Sequence, residues 1–191
     1  MNTKKYLFIV LLVGIGFSQT FYAGLGSSYN TYNEDDIDEL FDMSPFNGYQ
    51  FGVEHSLNNI NLGIGVNLTG NRAKLKTTQI EVAERYKYMS AHLTYRYPIK
   101  DKYLPFVGLM LGNHVFADAI ISGNSSSQES DIDISPNNAL LVGLDYMLLP
   151  TLGLRLTYSH GLNDIGKDVE EPLNWKNRTF YLSLLINSAK Q

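Results

Sequence analysis

The chain has 191 residues, a formal net charge of −4 at pH 7 and no cysteine. That length suits one domain, the acidity argues against a nucleic-acid partner, and the missing thiols exclude disulfide scaffolds, thiolate metal sites and a cysteine nucleophile. Beyond the first 18 residues no stretch approaches the roughly 20 apolar residues of a membrane helix, so any membrane span must be made of strands.

The start, MNTKKYLFIVLLVGIGFSQT, carries two lysines, an apolar run from Tyr6 to Ile15, and small residues at Gly16 and Ser18. This pattern predicts an export signal over 1–18, cleaved after Ser18, with a single domain over 19–191. Losing Lys4 and Lys5 and no acid moves the charge from −4 to −6.

Next in the chain, NINLGIGVNLTG over 59–70 sets Ile60, Leu62, Ile64, Val66 and Leu68 on one parity and Asn61, Gly63, Gly65, Asn67 and Thr69 on the other. Successive strand side chains leave opposite faces, so this is a two-faced strand. The same alternation predicts strands near 20–30, 47–57, 59–69, 87–97, 103–115, 138–148, 151–160 and 178–187. Each is about ten residues, the length that crosses a bilayer at a tilt. Connections alternate long and short, with long ones at 31–46, 70–86, 116–137 and 161–177. Strict segregation of this kind gives a barrel short turns at one end and long loops at the other.

The oily parity is rich in Leu, Ile, Tyr and Phe, whereas the opposite parity carries Gly24, Gly52, Ser90, His92, Gly108 and Thr157 among other small or polar residues. An eight-stranded tube is too narrow to hold the oily set, so the oily face lies outside, in lipid. A lipocalin-like soluble barrel, with its oily face inward, is disfavoured on that volume argument. The fold class is therefore all-β, an eight-stranded antiparallel up-and-down transmembrane β-barrel with a polar interior. Aromatics agree: Phe21, Tyr95, Tyr97, Tyr103 and Tyr146 fall near the short-turn ends, and Tyr29, Tyr49, Tyr158 and Phe180 near the long-loop ends, as interfacial belts require.

Inside, the parity leaves Glu54, Arg96, Asp145 and Arg155, two acids and two bases. Asp145 and Arg155 are equidistant from Pro150 and should face each other across a tight turn. Buried charges must pair, so these four are expected to form a plug that stiffens the tube, with an ion gate as the alternative. His92 and His114 fall on the inward parity as hydrogen-bonded interior residues.

The long connections carry the acids. Glu34, Asp35, Asp36, Asp38, Glu39 and Asp42 crowd NEDDIDELFD, with further clusters in ESDID at 129–133 and DVEE at 168–171. Their spacing lacks the glycine and terminal glutamate of a calcium loop, so solvated charge is the expectation and no metal or cofactor is assigned. NRAKLKTTQIEVAERYKY keeps its alternation beyond the membrane and predicts a projecting hairpin bearing Arg72, Lys74 and Lys76. SGNSSSQES at 122–130 predicts a mobile loop.

The C-terminal third, LGLRLTYSHGLNDI followed by WKNRTFYLSLLIN, resembles the last hairpin of the small outer-membrane β-barrel family that includes porin-like and PorT-type proteins and OmpA- and OmpX-like barrels. Arg155, Tyr158, Gly161 and Leu162 match an Arg-x-x-Tyr-x-x-Gly-Leu run, and Asn177, Arg178 and Phe180 an Asn-Arg-x-Phe start. PFVGLMLG at 105–112 is similar to a central strand of such barrels. The resemblance implies an outer-membrane location and the barrel fold, but little about activity. Some barrels of this size are lipid-cleaving enzymes. Here the candidate pair Ser159 and His160 is adjacent in sequence, so nucleophile and base would leave opposite faces. The expected function is a non-enzymatic structural or surface-interaction role through acidic external loops, with a narrow porin-like channel as the alternative. Outer-membrane lipid and a protein at the external loops are the expected partners of a monomer.

Overall fold

The computed structural model describes residues 19–31, 41–78, 80–99, 102–123, 126–131, 134–165 and 176–188. The segment 1–18, Glu34, Asp35, Asp36, Asp38, Glu39 and the DVEE cluster lie outside the described residues. The described chain forms β1 (Gln19–Thr31), β2 (Phe41–Leu57), β3 (Ile60–Leu75), β4 (Glu81–Arg96), β5 (Tyr103–Gly123), β6 (Ser126–Asp131), β7 (Asn137–Leu149), β8 (Leu152–Gly161) and β9 (Lys176–Asn187). Every pairing is antiparallel, and the ring runs β1-β2-β3-β4-β5-β7-β8-β9 and back to β1. Eight strands thus close the barrel, and β6 stands outside the ring, paired to the far end of β5.

Closure abolishes the edges of the ring. The tight turns at one end show why the register holds. Asn58 sits in the left-handed region at φ 57 between β2 and β3, a conformation that asparagine tolerates better than most residues. From there Leu57 pairs Ile60 and every inward residue of β2 meets an inward residue of β3 up to Tyr49.

The oily parity is outside. Leu25 is 74% exposed, Leu182 59% and Leu156 54%, while Asn61, Thr94 and Ser183 on the other parity are buried. The interior differs from the purely polar and small filling expected from the sequence, because Tyr22, Phe106, Met110, Tyr181 and Leu185 also point inward and are buried. Glycines make room for them. A Cβ at Gly52 would strike the Ile64 carbonyl oxygen and the Tyr22 ring, and one at Gly143 the Leu156 carbonyl oxygen and the Phe106 ring. Small and large interior residues therefore interdigitate to fill the tube.

At the long-loop end β3 and β4 project as the hairpin expected from the sequence, and β2 and β5 run further than the sequence pattern suggested. Phe41–Pro45 of β2 pair with Asn71–Leu75 of β3, Asn71–Lys74 with Glu81–Glu84 of β4, Glu81–Arg85 with Asp118–Ser122 of β5, and Asp118–Gly123 with β6. These extensions make a five-stranded sheet that rises from one side of the barrel. Its last strand is β6, of which residues 126–130 were expected from the sequence to belong to a mobile loop.

Candidate functional site

Ion pairs cross the tube in its short-turn half. Arg155 on β8 donates Nη1 and Nη2 to Glu54 across the lumen, at 2.5 and 2.8 Å, and Nε to Asp145 on β7 at 2.6 Å. Arg96 on β4 bridges the same two acids, with Nη2 2.6 Å from Glu54 and 2.9 Å from Asp145. Asp145 and Arg155 are register partners, as their symmetry about Pro150 predicts. The structure thus brings all four sequence-predicted charges into one buried cluster.

Two partners escaped the sequence reading of that cluster. His92 Nε2 lies 2.9 Å from Glu54, and Asn61 Oδ1 accepts from Arg96 Nη1 at 3.0 Å. Arg155 is also held between aromatic rings, 5.4 Å from the Tyr22 centroid and 5.1 Å from that of Phe106. Inward parity was the signal for all of them, and it names the face but not the height at which residues meet. Gly63 explains why His92 reaches Glu54, since a Cβ there would occupy the imidazole's place. A buried cluster of this kind resists disruption, because removing one partner leaves an uncompensated charge.

Above the plug, hydroxyls and amides line a cavity of about 30 Å³, among them Gln50, Asn67, Ser90, Thr157, Ser159 and Thr179. That is room for about two waters. Gln50 donates to Ser183 at 2.7 Å and Asn67 to Ser90 at 3.0 Å. At the long-loop end Ile134 and Ile165 pack with Tyr86, Tyr88 and Ala117 in an apolar cap. Hydrogen bonds fix the two segments that carry the isoleucines: Ser135 N donates to Ile165 O at 2.9 Å, and Asn138 N to Asn163 Oδ1 at 2.7 Å. The cap had no sequence signal, because each isoleucine is isolated in a polar connection.

The remaining candidates are dispersed. Ser159 is buried inward while His160 is half-buried on the outer face beside Tyr158, so the pair does not assemble as nucleophile and base. His114 is exposed, a departure from its expected interior place, at a register irregularity where Tyr88 pairs His114 but Lys87 pairs Phe116. Of the first acidic cluster, Asp42 is within the described residues; its side chain is 72% exposed and 3.9 Å from Lys76. Among the described residues no group of three His, Asp or Glu side chains is placed to hold a metal ion.

Comparison with known proteins fits this architecture. No curated protein sequence matches the chain. Among solved structures, Neisserial surface protein A is similar with a TM-score of 0.58 at 14% identity, covering 88% of this chain and 96% of that one. The attachment invasion locus protein Ail of Yersinia pestis is similar with a TM-score of 0.54 at 14% identity, covering 90% and 98%. The N-terminal barrel of Pseudomonas aeruginosa OprF gives 0.50 at 10% identity, covering 88% and 96%. At such identities the likeness is one of fold. The sequence itself matches the outer membrane protein beta-barrel domain over residues 15–187. With its oily face turned outward and its ring closed, the chain belongs to that family of outer-membrane barrels and resides in the outer membrane.

Proposed function

We propose that the protein works at the cell surface as a docking barrel, with the membrane-embedded ring serving as a sealed support. The projecting sheet carries this reading. Among the described residues, β6 pairs only with β5, and residues 41–45 of β2 pair only with β3, so both margins of the sheet offer backbone donors and acceptors to a further strand. Edge strands of this kind are templates for strand addition. The sequence surrounds them with acids, six of them in residues 33–42. A basic, extended segment is the partner that suits both features.

Ail of Yersinia pestis has been crystallised with the heparin analogue sucrose octasulfate, a polyanion. The acidic connections here favour the opposite charge. The narrow-channel alternative has less support, because the ion cluster, a cavity of about 30 Å³ and the isoleucine cap follow one another along the tube.

The test uses the full chain in lipid nanodiscs and a fluorescent lysine-rich peptide read by anisotropy. Binding should weaken with salt. It should fall when Glu34, Asp35, Asp36, Asp38 and Glu39 become amides, and again with Gln128→Pro, which removes a backbone donor from β6. Equal binding of a polysulfate and the basic peptide, or indifference to both sets of changes, would reject the reading.

A further inference from the structure

Most of the well-placed arginines are neutralised by acids. Arg96 and Arg155 lie against Glu54 and Asp145, and Arg85 pairs with Asp118. Arg178 does not follow this rule. It makes no hydrogen bond or ion pair with the described residues, and its Nε is withdrawn from solvent without a partner.

Its position is informative. Arg178 is on the outward parity of β9, opposite Tyr29 on β1 and His160 on β8, so the three side chains form a row on the lipid-facing surface. Leu140 continues the row beside His160, and among the described residues no carboxylate stands in it. Directly below, the Tyr158 and Phe180 rings lie 4.7 Å apart, followed by exposed Leu156, Leu182, Leu184 and Ile186. The eight steps from Ile186 to Arg178 span about 26 Å along the strand, or about 20 Å of membrane depth at a tilt near 40°. The guanidinium therefore sits where the apolar band ends and lipid headgroups begin.

His160 is prepared for the same level. Its Nδ1 lies 3.2 Å from the Tyr158 hydroxyl; with the hydroxyl donating, the ring proton is on Nε2. A guanidinium fork, an imidazole N–H and a phenol together suit a phosphate, which arginine recognises in bidentate fashion. A guanidinium at the membrane interface is attracted to the anionic lipid headgroups that meet it there.

We propose that Arg178, His160 and Tyr29 form a lipid-phosphate site on the external rim, which holds the phosphate of an outer-leaflet lipid while its acyl chains lie over Leu156 and Leu182. The site is separate from the projecting sheet, and its fate does not depend on what docks there.

Native mass spectrometry of the full chain released from detergent micelles, with diphosphoryl lipid A as the probe, tests this. The unsubstituted protein should retain one lipid. Arg178→Gln should lower the bound fraction about tenfold, the loss expected for a hydrogen bond to a charged group. Arg178→Lys should keep part of the binding and His160→Gln should weaken it less than Arg178→Gln; these two variants decide the matter if Arg178→Gln does not fold by heat-dependent gel mobility. Lys102→Gln, which removes an exposed charge at the opposite end of the barrel, should retain the lipid. Unchanged retention in the Arg178 and His160 variants, or equal loss in Lys102→Gln, would overturn the proposal. Displacement of the lipid by inorganic phosphate alone would identify a free-anion site and overturn the lipid assignment.

Discussion

Within β4 the polarity of the two faces reverses. From Arg96 to Tyr88, the outward Tyr95, Leu93 and Met89 are about half exposed and the inward Thr94, His92 and Ser90 are buried. From Lys87 to Glu81 the outward set becomes Lys87, Arg85, Ala83 and Glu81, while Tyr86 and Val82 face inward together with the partly buried Glu84. β3 changes at the same level, from outward Leu62 and Ile64 to outward Arg72 and Lys74, with Ala73 and Leu75 on the inner side. One strand thus obeys two solvents. In the membrane band the apolar face meets lipid and the core is polar; in the projecting sheet water takes the outside and the apolar face turns in.

The two regions should respond differently to substitution, and the largest effect belongs to the membrane band. Gly52→Val forces a side chain between the Ile64 carbonyl oxygen and the Tyr22 ring. It should prevent the barrel from closing and abolish the heat-dependent mobility shift of the folded protein.

Next comes the plug. Glu54→Gln leaves Arg155 and Arg96 sharing Asp145, and urea unfolding in lipid vesicles should show a loss of about 3–5 kcal/mol. Glu54→Gln combined with Arg155→Met restores charge balance around Arg96 and Asp145, so the double variant should be more stable than Glu54→Gln alone. Additive losses would show that the cluster does not act as a unit.

At the cap the effect should be local. Ile134→Ala removes a fully buried side chain that packs with Tyr86, Tyr88 and Ile165, and should cost about 2 kcal/mol. Hydrogen exchange should quicken at β4 near Tyr88 and leave the plug protected.

The smallest effect is a pH dependence of the sheet. Burial raises the Glu84 carboxyl above its ordinary range, against the opposing hydrogen bond from the Tyr86 hydroxyl. The folded carboxyl binds its proton at higher pH than the unfolded one, so its stabilising contribution is full below the unfolded value and is lost as pH rises through the folded value. Amide protection at Asn71, the register partner of Glu84, should rise on acidification, and Glu84→Gln should flatten that dependence.

How much of this the sequence disclosed follows from the same contrast. Eight strands, their faces and the Asp145–Arg155 pairing were legible because a strand between lipid and a narrow lumen must alternate at every step. Ser126–Asp131 carries no apolar residue to alternate, so its strand came only from pairing with β5. The irregularity beyond Tyr88 displaced His114 from its expected face, and parity counted along a sequence cannot register an extra residue. Ile134 and Ile165 meet through loop geometry that no period encodes. For the charges, the sequence named Glu54, Arg96, Asp145 and Arg155 but not that Glu54 would also receive His92.

We propose that the barrel is sealed from within and acts at its outer surface. Recording the full chain in planar bilayers tests it most directly. The unsubstituted protein should show no steps above leak at neutral pH. Discrete, reproducible conductance steps would contradict the seal and make the barrel a channel.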